Sequence, residues 1–158
     1  MADFMQKQQA KTVYETLCST LDNRNWRYKK HEDDLVVSFG VNGDDIPIDY
    51  VIKVDVERQL LRVISFLPFK IGEDKRVDGA VAICVINNGM VDGGFEYDLK
   101  DGSVTFKMTA SFRESRIGEG LVAYMIDCTS YTVDRYNDKL LAVSKGMITV
   151  ADLLKEEE

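Results

Sequence analysis

The sequence predicts an α+β fold: an antiparallel sheet of about six strands with helices packed on one face, in the order α-β-β-β-β-α-β-β-α-α. Three observations predict it. Apolar residues recur at helical spacing near the start, the middle and the end of the chain. Runs that alternate apolar and polar residues fill the gaps, four before the middle helix and two after it. Asp101-Gly102 joins the last two runs and is the strongest hairpin signal in the chain.

The first helix is expected over residues 4–22. Ala10, Val13, Tyr14, Leu17, Cys18 and Leu21 share one stripe, Asp3 can cap the start, and Asp22 to Asn25 favour a turn. Trp26 to Lys29 reads as the first strand, and Lys29 to Asp34, the run KKHEDD, as a polar turn after it. Leu35, Val37, Phe39 and Val41 alternate in the second, and Asn42-Gly43 supplies the positive φ of a short hairpin. The third run, Ile46 to Val54, places Ile46, Ile48, Tyr50, Ile52 and Val54 on one face. Pro47 cannot donate to a ladder and belongs at a strand start or an edge.

The fourth run, Leu60 to Leu67, is apolar on both faces. Leu61, Val63 and Leu67 lie on one side, and Leu60, Ile64 and Phe66 on the other. One side can pack on helices. The other is either the partly filled flank of a central strand or a surface for a partner or a second copy. Leu60, Ile64 and Phe66 are therefore the candidate partner-binding residues.

Pro68 is expected to end that run. Glu73-Asp74 opens the second helix, with acids near the positive end of its dipole. Its apolar face reads as Val77, Ala80, Val81 and Cys84, extended by Val85 and Asn88. Gly79 permits close approach of a neighbouring element, and Gly89 can end the helix in the left-handed conformation. In the hairpin that follows, Phe95, Tyr97, Phe106 and Met108 are candidate core, while Ser103, Thr105, Lys107, Thr109 and Ser111 form a wet face. Ser115 can cap the last long helix. Its stripe runs Ile117, Leu121, Met125, Cys128, Thr132 and Tyr136, widened by Val122, Tyr124 and Tyr131. At this spacing the tyrosines read as core ahead of a binding face. Lys145-Gly146 stops the helix, and Thr149 to Asp152 resembles a capping box for a short terminal one.

With 158 residues the chain is expected to form one domain, residues 1–158, able to bury a core without disulfide or metal staples. Net charge is 20 − 27 = −7. An acidic chain without a basic stripe in sequence is a poor binder of nucleic acid or anionic membranes. Cys18, Cys84 and Cys128 are odd in number, far apart and set in apolar helical patterns, as buried thiols of a reducing compartment are. The N-terminal stretch lacks the apolar segment of a signal peptide, and no run is long enough to span a membrane, so a cytoplasmic protein is expected.

The search for chemistry yields no catalytic set. His31 is the one histidine, in a charged turn with no nucleophile placed beside it. The carboxylate pairs Asp33-Asp34, Asp44-Asp45 and Asp98/Asp101 fall at turns and match no calcium loop. Gly89, Gly93 and Gly94 follow a helix and precede a strand, which is the wrong polarity for a phosphate loop. No enzyme activity, cofactor or metal is expected.

From Leu67 onward the sequence resembles a bacterial family, the YbjN type. The likeness rests on Leu67-Pro68-Phe69-Lys70-Ile71, Ile86-Asn87-Asn88, Gly94 to Leu99 with Asp101-Gly102, Thr132-Val-Asp-Arg-Tyr136 in the long helix, Lys145-Gly146 and the capped Thr149 to Leu154. Members are labelled sensory transduction regulators and share a fold with type III secretion chaperones. The resemblance implies a sheet with helices on one face, self-association and a role in binding another protein. The function expected is a non-enzymatic protein-binding module, chaperone-like or regulatory, acting as a homodimer. The alternative is a small-ligand-sensing domain with a pocket between the long helix and the sheet.

Overall fold

A computed structural model describes residues 2–157. Helix α1 (Phe4–Asn23) is followed by strands β1 (Lys29–His31), β2 (Val36–Asn42), β3 (Pro47–Asp55) and β4 (Leu60–Lys70). Helix α2 (Arg76–Asn88) leads to β5 (Gly94–Tyr97) and β6 (Ser103–Ser111), then to α3 (Glu119–Ser144) and α4 (Val150–Glu156). The fold is α+β in the expected order. Its six strands form an antiparallel sheet ordered β1-β2-β3-β4-β6-β5.

The sheet has one buried face, set by strict alternation. In β3 the side chains of Ile48, Tyr50, Ile52 and Val54 are buried, as are Leu61, Val63 and Leu67 in β4 and Val104, Phe106 and Met108 in β6. These meet α1, α2 and α3, which bury Leu17, Leu21, Ile86, Met125, Ile126 and Val133 among others. Burying each such side chain contributes roughly 1.5–3 kcal/mol. Tyr50 carries a hydroxyl into this layer and donates it to the Ile126 carbonyl at 3.0 Å. Burial pushes its pKa up to about 12. Phe39 stacks on it at a centroid distance of 4.7 Å.

The terminal helices open on reciprocal capping boxes. Asp3 accepts from the Gln6 N–H while the Gln6 side chain accepts from the Asp3 N–H, and Thr149 and Asp152 do the same for α4. Gly146, with φ 67°, ends the last turn beyond α3 as expected.

Several local expectations are corrected. The first strand is Lys29–His31, not Trp26 to Lys29: Asn25 turns at φ 55°, and Trp26 packs on Phe39 instead of pairing in the sheet. His31 thus ends a strand, and residues 32–34 form a 3-10 turn closed by Leu35 at φ 52°. Gly43 does not take a positive φ. It is needed for space, since a Cβ there would lie 2.3 Å from Asp134 Oδ1 and 2.5 Å from the Ile46 carbonyl. Pro68 does not end β4. The strand runs on to Lys70 through a break in register between Phe66 and Lys70, where the missing N–H costs no ladder bond.

Helix α2 turns its other face inward. Gly79, Ala82, Ile83 and Ile86 are buried, while Val77 is 74% exposed and Val81 and Cys84 are exposed. Two apolar stripes compete in this helix, and the one with the isoleucines has more area to bury. Gly79 settles the rotation: a Cβ there would lie 2.6 Å from Ile71 Cδ1 and 3.0 Å from the Tyr97 hydroxyl, so only glycine lets the helix sit this close. Gly89 stays right-handed at φ −88°, and the left-handed turn falls later, at Gly93 with φ 71°. Ser115 does not cap α3. Gly118 precedes it without a side-chain cap, and Ser115 donates to the Ser111 carbonyl. On α3, Met125, Thr132 and Tyr136 are buried as expected, but Leu121, Tyr124 and Tyr131 face out. Tyr97 is half-buried beside the buried Phe95, Phe106 and Met108.

Candidate protein-docking surface

The outer face of the sheet, opposite the helices, carries Leu60, Ile64 and Phe66. Register places Ile64 at the centre of the sheet, between Val51 of β3 and Lys107 of β6. Phe66 lies between Asp49 and Thr105 and is 49% exposed. Leu60 sits at the far end of β4 between Asp55 and Ser111, with Arg62 separating it from Ile64. The structure therefore brings Ile64 and Phe66 together and leaves Leu60 at the margin. Val51 completes the apolar centre. Its position was readable from the parity of the third run, which puts residue 51 opposite the buried residues 50 and 52.

Asp55 borders this face and is nearly buried. The Arg58 backbone N–H and guanidinium both donate to it, and the first of these chiefly holds its carboxyl below the usual carboxylate range. It lies 4.0 Å from the Arg62 guanidinium. Lys107 pairs with Glu96 across β5 and β6.

A second apolar surface lies on the helical layer. Val77, Val81 and Cys84 of α2 are exposed, and a 380 Å³ depression is lined by Val81, Cys84, Val85 and Asn88 of α2 with Leu154 of α4 and Glu157. Cys84 is thus not the buried thiol that its sequence context predicts, and Cys128 is half-buried. Along α3, Leu121, Tyr124 and Tyr131 form a partly exposed stripe, with the Tyr124 hydroxyl donating to Asp92 at 3.1 Å.

The interval between α3 and the sheet, where a ligand pocket was the alternative expectation, is packed. Met125, Ile126, Thr129 and Val133 fill it with no more than 1% exposure each. A surface cavity of 820 Å³ lies elsewhere, between α1 and the β1–β2 turn, floored by Tyr14, Cys18, Leu35 and Val56. Its rim mixes Lys7, Lys11 and Lys30 with carboxylates, so it selects no ligand charge by itself. His31 is exposed at the end of β1. Among the described residues, no group of three or more His, Cys, Asp or Glu is placed to hold a metal ion, and no helix is long and apolar enough to cross a membrane.

The architecture is that of the YbjN and type III secretion chaperone fold. The chain is similar to the crystal structure of YbjN from E. coli, described as a candidate transcription regulator, with a TM-score of 0.59, 12% identity, and 80% of this chain and 92% of that one covered. It is also similar to a chain of the HopA1–SchA chaperone–effector complex, with a TM-score of 0.51 and 13% identity over 79% of this chain and 93% of that one. A chain of the ExsC–ExsE complex matches with a TM-score of 0.51 and 14% identity, covering 80% and 93%. No protein-family model matches the sequence, and no curated protein does.

Proposed function

We propose that the chain is a non-enzymatic protein-binding module, chaperone-like or regulatory, that acts as a homodimer. A protein partner docks on the outer face of the sheet through Ile64 and Phe66, with Leu60 at the edge of the contact. The observation that carries this is an apolar centre on the outer side of the sheet, Phe66 at 49% exposure beside the half-buried Val51 and Ile64, while the other face already buries the core. The occurrence of the fold in a chaperone–effector complex supports a protein as the ligand. The exposed strip Val77, Val81, Cys84 and Leu154 is the surface proposed for the second copy.

The test is affinity capture from the native host followed by mass spectrometry, with Phe66→Glu as the comparison. The variant should keep the melting profile of the parent and lose the captured partner. A folded variant that still captures the same protein would remove the sheet face from the contact. Size exclusion with light scattering tests the homodimer, and a monomer at tens of micromolar would overturn it.

A further inference from the structure

We propose that the outer sheet face selects an acidic, apolar protein segment. The inference rests on the docking reading above and adds the charge of the partner. Register gathers cations from four strands into two adjacent rows. One row runs His31, Val36, Lys53, Arg62, Thr109, and the next runs Lys29, Ser38, Val51, Ile64, Lys107. Residues directly opposed in a ladder point to the same side of the sheet. Lys29, Lys53, Arg62 and Lys107 therefore stand around Val51 and Ile64. Neither row contains a carboxylate. The whole chain carries −7, so this band inverts the molecule's charge locally.

Internal pairing leaves part of that charge free. Arg62 is 4.0 Å from Asp55, which Arg58 already engages, and Lys107 pairs with Glu96. Lys29 and Lys53 have no ion-pair partner among the described residues. The other carboxylates on this face, Asp49 and Glu96, fall in the neighbouring row with Phe66, outside the band. With strands about 4.8 Å apart and alternate residues about 7 Å apart, these cations lie within reach of successive acidic side chains on one bound segment. The apolar residues of that segment would cover Val51, Ile64 and Phe66.

A nucleic acid fits this face less well. Two of the four cations are partly neutralised, which leaves few for a continuous row of phosphates, and Phe66 is the lone aromatic in the rows described, where base stacking uses several.

The test is fluorescence anisotropy with the full chain and labelled peptides of about twelve residues, enough to cross the sheet, that share alternating leucines and carry Glu, Gln or Lys between them. An oligothymidylate is the fourth probe. At about 20 mM salt the Glu peptide should bind about tenfold more tightly than the Gln peptide, and about 0.5 M salt should erase the preference. The exposed double variant Lys29→Glu, Lys53→Glu should abolish the preference without lowering the melting temperature. Equal binding of the Glu and Gln peptides, with Phe66→Glu still abolishing both, would overturn the charge selection and leave the docking reading standing. Binding that ignores Phe66→Glu would remove both. No binding of the Glu peptide at about 1 mM (a contact worth less than about 4 kcal/mol), or tighter binding of the oligothymidylate, would also overturn the inference.

Discussion

The Ile71 backbone N–H donates to the Gly102 carbonyl at 2.9 Å, and a Cβ on Gly102 would stand 2.0 Å from the Ile71 carbonyl oxygen. The β5–β6 turn is thus seated directly on the junction between β4 and α2. Arg76 locks the seat: its Nε donates to the Ile71 carbonyl at 2.9 Å and its terminal nitrogen to Leu99 and Lys100 carbonyls at 2.8 Å each. Gly102 is at φ 77°, so Gly102→Ala meets both backbone strain and a clash with main-chain atoms. It should cost about 3 kcal/mol or more, read as a lower urea midpoint at unchanged slope.

The rotation of α2 is checked by substitution on its two faces. Ile86→Ala removes a fully buried side chain and should cost about 2–4 kcal/mol. Val77→Ser should change the stability of the monomer by no more than about 0.5 kcal/mol. Equal losses at both positions would contradict the face that the structure turns inward.

On the sheet, Phe66 and Phe106 are two strands' neighbours on opposite faces. Phe106→Ala should cost about 3–5 kcal/mol, because Phe106 is fully buried against Phe95 at a centroid distance of 5.2 Å. Phe66→Glu should cost about 1 kcal/mol or less, the span of strand propensity at an exposed site. Thermal melts of the two variants decide it.

The docking of α4 should depend on pH. Glu157 accepts from Lys139, at 2.5 Å, and from the Tyr136 hydroxyl at 3.1 Å. The Lys139 bond is the main cause holding its carboxyl below the usual range. A carboxylate lowered on folding stabilises above its unfolded pKa, and the contribution is lost as pH falls through the lower folded value. Acidification from neutral should therefore loosen α4 only below about pH 4. Hydrogen exchange at the α4 amides should report this, and Glu157→Gln should weaken the dependence, the remainder coming from Asp152, whose carboxyl the Thr149 cap also holds below the usual range.

Much of the architecture is legible from local chemistry. Asp3 and Thr149 announce helix starts, Asp101-Gly102 announces the hairpin, and the alternation through Ile48, Tyr50, Ile52 and Val54 fixes the buried side of β3. Sequence reasoning fails where two patterns of similar strength compete. In α2 the stripe Val77, Val81, Cys84 scores as well as Gly79, Ile83, Ile86 until Ile71 and Tyr97 are known to press on Gly79. The same limit hides which tyrosines of α3 face out. The basic band is hidden for another reason. Lys29, Lys53, Arg62 and Lys107 are isolated in sequence and become neighbours only through register across four strands.

The sheet order also sets a schedule. Strands β1 to β4 pair with sequence neighbours, as do β5 and β6, so each group can close on its own. The seam β4–β6 joins them, and its central pair, Val63 and Met108, is 108 − 63 = 45 residues apart. Contacts of that separation form late, because the loop must close before they reward it. On a ribosome adding roughly 5–20 residues per second, β4 waits roughly 2–9 s for its second neighbour. Through that interval its open edge and the apolar Leu61, Val63 and Leu67 are on offer to any passing strand. The nascent chain is therefore most exposed to misassociation between the emergence of β4 and that of β6, and a slow-codon or chaperone dependence should concentrate there.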